Sequence, residues 1–455
     1  MSERSEKLSK DEWLQIGDIL NSEYSSVDEI NQDLARNEKG KVIQSIENCV
    51  IVFHRDPILR GGICKNELTG RIDIVKDLGW MRYAGNSITD LDECQIQLYL
   101  ERNYGLRNYV NIDKAISIIA SENRYHPIRK YLESLKWDGV KRIRYAMTKY
   151  LGVEEDDYSE SVMKLLLMAA IKRVYEPGCK FDIMVCLVGG QGVGKSTFFR
   201  FLAIKDEWFT DDLKKIDDEQ VYRKMQGHWF IEISEMLALV NARSVEEIKS
   251  FISRTKETYK IPYETHPEDR PRQCIFVGTS NDMQFLPFDT TGNRRFAPVK
   301  VHPERVEKHI LAEEAESREY FDQMWAEAMV IYRASNHHDL KLSDEMEVYL
   351  KDMQVDFMPE DTNIGIIQEW LDTCGEEYVC SRMIFEKALK HEDKEPKQWE
   401  IKKINEIMNN TIKGWEQVSS HRFTGTPYGI QRAWKRVSET EGSLAAKMEE
   451  VPFKK

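Results

Sequence analysis

Ile183-Met184-Val185-Cys186-Leu187-Val188-Gly189-Gly190-Gln191-Gly192-Val193-Gly194-Lys195-Ser196-Thr197 decides the reading of this chain. The first six residues are an unbroken apolar run, as in a parallel strand buried on both faces. The run from Thr197 to Leu202 reads as the first turns of a helix. The residues between fit the P-loop template G-x-x-x-x-G-K-[ST]. Glycines let the backbone wrap closely around phosphates where a side chain would block it. The helix start adds free N–H groups and the positive end of a dipole. Gly189, Gly190, Gln191, Gly192, Val193, Gly194, Lys195, Ser196 and Thr197 are thus the expected nucleotide contacts. Lys195 reaches the β- and γ-phosphates, and the Ser196 hydroxyl ligates Mg²⁺. The expected cofactors are ATP and Mg²⁺.

From this loop to about residue 300, strand-like runs alternate with helical segments, which indicates an α/β sheet with parallel strands. On the N-terminal side, helices are expected at about 11–20, 27–45, 91–104, 111–123, 128–135 and 158–174. The chain has 455 residues, 41% hydrophobic and 31% charged, a profile of two or three globular domains. It offers no apolar stretch long enough to span a bilayer and no apolar core of a secretory signal near Met1, so a cytoplasmic protein without membrane partners is expected. Its 8 cysteines match no zinc spacing. A net charge of −13 argues against a whole surface coated in nucleic acid, but leaves room for a local basic channel.

Hydrolysis needs more than a phosphate cradle. In His228-Trp229-Phe230-Ile231-Glu232-Ile233-Ser234-Glu235, an apolar strand carries Glu232 at the place of a Walker B acid, with Glu235 three residues on. One of them holds Mg²⁺ and the other activates water, and at this spacing the roles are interchangeable. Cys274 to Asn281 is a strand ending in small polar residues, and Asn281 is placed to sense the γ-phosphate. Thr291-Gly292-Asn293-Arg294-Arg295 displays two arginines on a tight turn. Either they reach a neighbouring subunit's nucleotide, where a guanidinium fork suits phosphate, or they hold a carboxylate of their own surface.

The ordered series resembles the virulence-associated protein E family, whose ATPase is like that of superfamily 3 helicases in the AAA+ class. The resemblance covers about residues 50–335. It is carried by His126-Pro127, Trp137-Asp138-Gly139, Pro177-Gly178-Cys179-Lys180-Phe181-Asp182, the glycine loop, Glu232-Ile233-Ser234-Glu235, Ile261-Pro262-Tyr263, Arg272 to Asn281 and Thr291 to Phe296. It implies an ATP-driven, hexameric DNA helicase or translocase of prophages and chromosomal islands, or alternatively an initiator that uses ATP to assemble on DNA. Many members carry a primase-like domain for which this chain is too short, so a separate primase is an implied partner. Lys260 stands where the family pattern has an arginine.

Tyr259 to Glu264 is expected to be one strand of a hairpin that turns at His266 to Asp269 and returns to Arg272, and the resemblance implies that it points into a central DNA channel. Lys260, His266 and Arg270 are its candidates for gripping the phosphate backbone, with Lys249 in the same basic stretch. The expected organisation is an N-terminal accessory α+β region over 1–125, an ATPase domain with a helical collar over 126–335 and a linker over 336–361. A winged-helix-like domain over 362–437 and a flexible tail over 438–455 complete it. In the winged-helix-like part, Lys402, Lys403 and Arg422 are expected to face DNA phosphates or, equally, a protein partner.

Overall fold

The computed structural model describes residues 26–82, 85–213, 221–234, 242–259, 268–286, 293–335, 339–358, 362–391 and 393–437. Glu235, Lys260, His266 and the expected helix at 11–20 lie outside them. The chain forms two compact units, Met1–Met358 and Pro359–Lys455. Among the described residues, no helix is long and apolar enough to cross a membrane.

The first unit begins with helices Val27–Asp33 and Ile46–Arg55. The expected continuous helix over 27–45 is therefore interrupted. Leu34 is extended, and Arg36 bridges Val42 across a turn at Gly40, whose φ is +73°. Helices Asp90–Tyr104 and Tyr109–Glu122 follow close to expectation. Thr89 caps the first of them by accepting from the Asp92 N–H, while the Asp92 carboxylate accepts from the Thr89 N–H in return. These helices enclose an apolar cluster that includes Ile30, Phe53, Ile96, Leu100 and Ile116. Strands β1 (Ile63–Asn66), β2 (Ile72–Ile74) and β3 (Arg124–Tyr125) form a small sheet in the order β2-β1-β3. This region has its own apolar core within the first compact unit.

Strands β4 (Met184–Val188), β5 (Phe209–Thr210) and β6 (Phe230–Ile233) precede an antiparallel hairpin of β7 (Lys256–Tyr259) and β8 (Glu268–Pro271). Strands β9 (Ile275–Ser280) and β10 (Phe296–Lys300) complete the main sheet. Its five strands are parallel throughout, in the order β10-β4-β9-β6-β5. Alternation along the strands divides the core between two faces. Val185, Leu187, Ile275, Val277 and Val299 join one cluster with Phe198, Phe321 and Trp325. Met184, Cys186, Ile231, Ile233 and Phe276 join the other with Ile248 and Phe251. On the first face Trp229 stacks on Trp325 at 4.4 Å, and each indole N–H finds a backbone carbonyl, Ala170 and Leu202 respectively.

Helix Asp157–Tyr175 buries Arg173, which donates to the carbonyls of Cys274 and Phe181 at 2.6 Å each. A single guanidinium thus ties together the approaches to β4 and β9. Helix Glu314–Ala334 also packs on this layer. The stretch expected to be a linker, 336–361, instead contains helix Asp344–Asp356. Leu350 and Gln354 of that helix are buried, and Gln354 Nε2 donates to Asn293 O and Phe296 O at 2.7 Å. Its acidic residues lie on the solvent side, which is why composition alone read it as a connection.

The second unit runs helix Thr362–Thr373, strand β11 (Tyr378–Val379), helix Ser381–Met383 continuing as a π turn over Ile384–Ala388, helix Gln398–Asn410, then β12 (Trp415–Phe423) and β13 (Gly429–Arg436). Its three strands are antiparallel in the order β11-β13-β12. Trp415 and Trp434 belong to its core.

Gln354→Ala removes both donations and is expected to cost the first unit about 1–3 kcal/mol. The urea midpoint of that unit's unfolding transition measures it; a helix serving only as a linker would leave the midpoint unmoved.

Candidate functional site

The glycine loop joins β4 to helix Lys195–Leu202. At Gly189, φ is +150°, and a Cβ there would lie 2.6 Å from Val301 Cγ2 and 2.8 Å from Val301 O. No side chain fits that approach, so the loop leaves the sheet tightly against the end of β10. Gly194, at φ +89°, provides the left-handed entry to the helix. The Gly189 N–H donates to Ser280 O at 3.1 Å, which ties the loop to the end of β9.

Lys195 is buried, and its Nζ donates to Gly189 O at 2.6 Å, Gly190 O at 2.7 Å and Asn281 Oδ1 at 3.0 Å. Burial lowers the pKa of the ammonium, and the nearby Glu232 opposes that shift. Glu232, on β6, is fully buried. Its Oε1 accepts from three hydroxyls: Thr279 at 2.5 Å, Ser196 at 2.8 Å and Ser234 at 3.3 Å. Its Oε2 is buried with no hydrogen-bond partner. Burial raises the carboxyl above its usual range, and the three hydroxyls pull it back. A buried orphan carboxylate oxygen beside a serine hydroxyl is a hard-oxygen donor set, which fits Mg²⁺. Among the described residues, no group of three or more His, Cys, Asp or Glu side chains could hold a metal ion.

A family model for the virulence-associated protein E-like domain matches residues 132–359, half of the chain. The chain belongs to the virulence-associated protein E-like family. No curated protein matches it. Among solved structures it is similar to the apo structure of the NrS-1 C terminal region (305-718), at 13% identity and a TM-score of 0.45 over 83% of this chain and 96% of that one. An A form apo structure of the same region gives 14% identity and a TM-score of 0.44 over the same shares.

In this virulence-associated protein E-like chain, the sequence candidates separate by position. Lys195, Ser196, Glu232 and Asn281 converge at the C-terminal ends of β4, β6 and β9. Thr279 joins them and was missed by sequence reasoning. Its signal was strand alternation, because Thr279 lies two residues beyond Val277, which pairs with Glu232 in register. Of the arginine pair, only Arg294 is exposed. Arg295 is half-buried, donates from Nε to Ser253 Oγ at 2.9 Å, and lies 3.7 Å from Asp182 Oδ2. Display of both arginines is therefore corrected to display of one.

Of the DNA candidates, Lys249 is buried on helix Ala242–Ile252, so it offers no surface contact. Its place beside Ile248, Phe251 and Ile252 turns it towards the sheet. Arg270 lies on β8, half-buried, with its guanidinium against Gly70. A hairpin is present, but its strands are β7 and β8, paired from Lys256 with Pro271 to Tyr259 with Glu268; the expected strand over 259–264 lies outside the described residues beyond Tyr259, and Glu268 and Asp269, expected in the turn, belong to β8. Arg272, in the same basic run, is buried and paired with Glu257, its Nε 2.7 Å from Oε1. Beyond the family match, Lys402 and Arg422 are exposed and Lys403 is half-buried.

The raised Glu232 carboxyl costs folding free energy wherever it is charged. Its contribution is most favourable below the ordinary carboxylate range and is lost as pH rises through the raised value. Glu232→Gln removes that cost while keeping an acceptor for the three hydroxyls. Thermal melts of the apo protein between pH 4 and 8 are expected to show the variant about 1–3 °C more stable at the alkaline end, with the gap closing towards pH 4. A variant less stable at pH 8 than at pH 4, relative to wild type, would contradict the assignment.

Proposed function

We propose that this chain is an ATP-driven DNA helicase or translocase serving replication of a mobile genetic element, with a superfamily 3-like AAA+ core and a C-terminal winged-helix domain. The observation that carries the reading is the convergence of Lys195, Ser196, Glu232 and Asn281 on one spot, where Glu232 keeps an orphan oxygen. Family membership supports it, and so does the hairpin inserted between β6 and β9.

On this reading the glycine loop is a P-loop. Its N–H groups and the start of helix Lys195–Leu202 hold the nucleotide's phosphates. Lys195 exchanges the carbonyls of Gly189 and Gly190 for phosphate oxygens, and Asn281 is the γ-phosphate sensor joined to it. Ser196 and Glu232 would hold Mg²⁺, which would supply charge neutralisation to the phosphates. The direct Ser196–Glu232 hydrogen bond favours Glu232 on the metal side, leaving Glu235 to take the proton of the attacking water. Arg294, exposed on its turn, reaches the nucleotide of the next subunit in a homohexameric ring, while Arg295 anchors the turn. The hairpin residues Lys260, His266 and Arg270 grip single-stranded or forked DNA through its phosphates, and a separate primase supplies primers. Lys402, Lys403 and Arg422 give the second unit a further DNA-facing surface.

Lys195→Ala is expected to lower DNA-stimulated ATP turnover at least ~100-fold, and stimulation that survives it would overturn the reading. Arg294→Ala alone is expected to lower turnover by about 10³-fold without loss of thermal stability. Mixing Arg294→Ala with Lys195→Ala subunits should then restore part of it, because some interfaces regain both groups. A forked DNA substrate with ATP separates the two forms of the reading: strand separation marks a helicase, and binding without separation marks an initiator.

A further inference from the structure

A cavity of about 470 Å³ opens within the first unit at the N-terminal ends of β6 and β9. This is the end of the sheet opposite the glycine loop. The small N-terminal sheet lines one side, and the base of the β7–β8 hairpin lines the other.

The cavity's charges do not balance internally. Each carboxylate in its wall already has a cation: Glu67 has Arg129 at 3.3 Å, Glu257 has Arg272, and Asp269 has Lys256. Among the described residues, Lys65 and Arg124 have no carboxylate partner, and the Lys65 ammonium has no hydrogen-bond or ion-pair partner. Arg124 donates only to the neutral carbonyl and hydroxyl of Ser121, each at 2.8 Å. The two cations are also direct neighbours, for Lys65 on β1 is the register partner of Arg124 on β3 in a parallel pairing. Partners in register point to the same face, and both side chains line this cavity. Like charges opposite one another on adjacent strands are destabilising, so the arrangement calls for an anion between them.

We propose that Lys65 and Arg124 bind the phosphodiester backbone of a single DNA strand as it passes the base of the β7–β8 hairpin. The inference rests on the DNA-translocating reading and extends it into the N-terminal region, outside residues 132–359. A polymer fits better than a free phosphate because the cavity is continuous with the hairpin: Arg270 of β8 shares its wall with the pair. The guanidinium supplies a planar fork and the ammonium a mobile point charge, a combination that follows phosphates without reading bases.

The test is Lys65→Gln combined with Arg124→Gln in the full chain, with oligothymidylate affinity measured across a salt series. Removing two phosphate contacts should weaken binding by ~10-fold and flatten the salt slope by about 1.4. ATP turnover without DNA should stay at the wild-type level, and the melting temperature should not fall, since a repulsion is relieved. Should the double variant fold poorly, acetylation of Lys65 in the wild-type protein, read by mass spectrometry, replaces it. Oligothymidylate is expected to protect Lys65, whereas thymidine monophosphate and inorganic phosphate at matched phosphate concentration are not. Unchanged affinity and slope in a variant that still binds and hydrolyses ATP would overturn this inference alone. Equal protection by the small anions would also overturn it, by marking a free-nucleotide pocket. A wild-type protein that binds no DNA would sink the translocating reading and this one together.

Discussion

The buried carboxylate of Glu232 is the constraint around which the site is organised. A charge in that position is tolerated only because three hydroxyls converge on one of its oxygens. Those hydroxyls come from three places: the first turn of the helix after the glycine loop, the penultimate residue of β9 and the residue just past β6. The sheet order places β9 between β4 and β6, so Thr279 and Asn281 stand between the loop and the acid. Any slip of β9 by one residue would turn Thr279 away and leave the carboxylate with fewer donors.

The same bonds explain why the other oxygen matters. A fully dry core would place a donor on each lone pair, or exchange the glutamate for an apolar residue. Here one oxygen is held and its twin is left bare. Lys195 shows the same economy on the opposite side, since its ammonium rests on two loop carbonyls and the Asn281 amide oxygen rather than on an acid. Both groups are positioned by partners that an incoming polyanion and its cation could replace.

Much of this was legible in the sequence wherever the constraint was local. The apolar run 183–188, the glycines and Lys195 are all specified within fifteen residues, and strand, loop and helix came out in order. The helices expected at about 91–104 and 128–135 were legible for the same reason. What the sequence concealed depended on contacts between distant segments. Arg294 and Arg295 are neighbours in the chain, and only the fold brings Ser253 and Asp182 to one of them. Lys249 read as part of a basic stretch, although its helix presents Ile248, Phe251 and Ile252 to the core and carries the lysine in with them. The acidic segment before Pro359 read as a linker because composition reports its wet side. The signal of a helix was the Met346, Leu350, Met353, Gln354 and Phe357 spacing.

Helix Asp344–Asp356 also gives the molecule a mechanical connection. Gln354 holds the carbonyls of Asn293 and Phe296, which bracket the two arginines, and it stands four residues before the first unit ends at Met358. The turn that carries Arg294 is thereby braced at both ends by one side chain of a helix far along the chain.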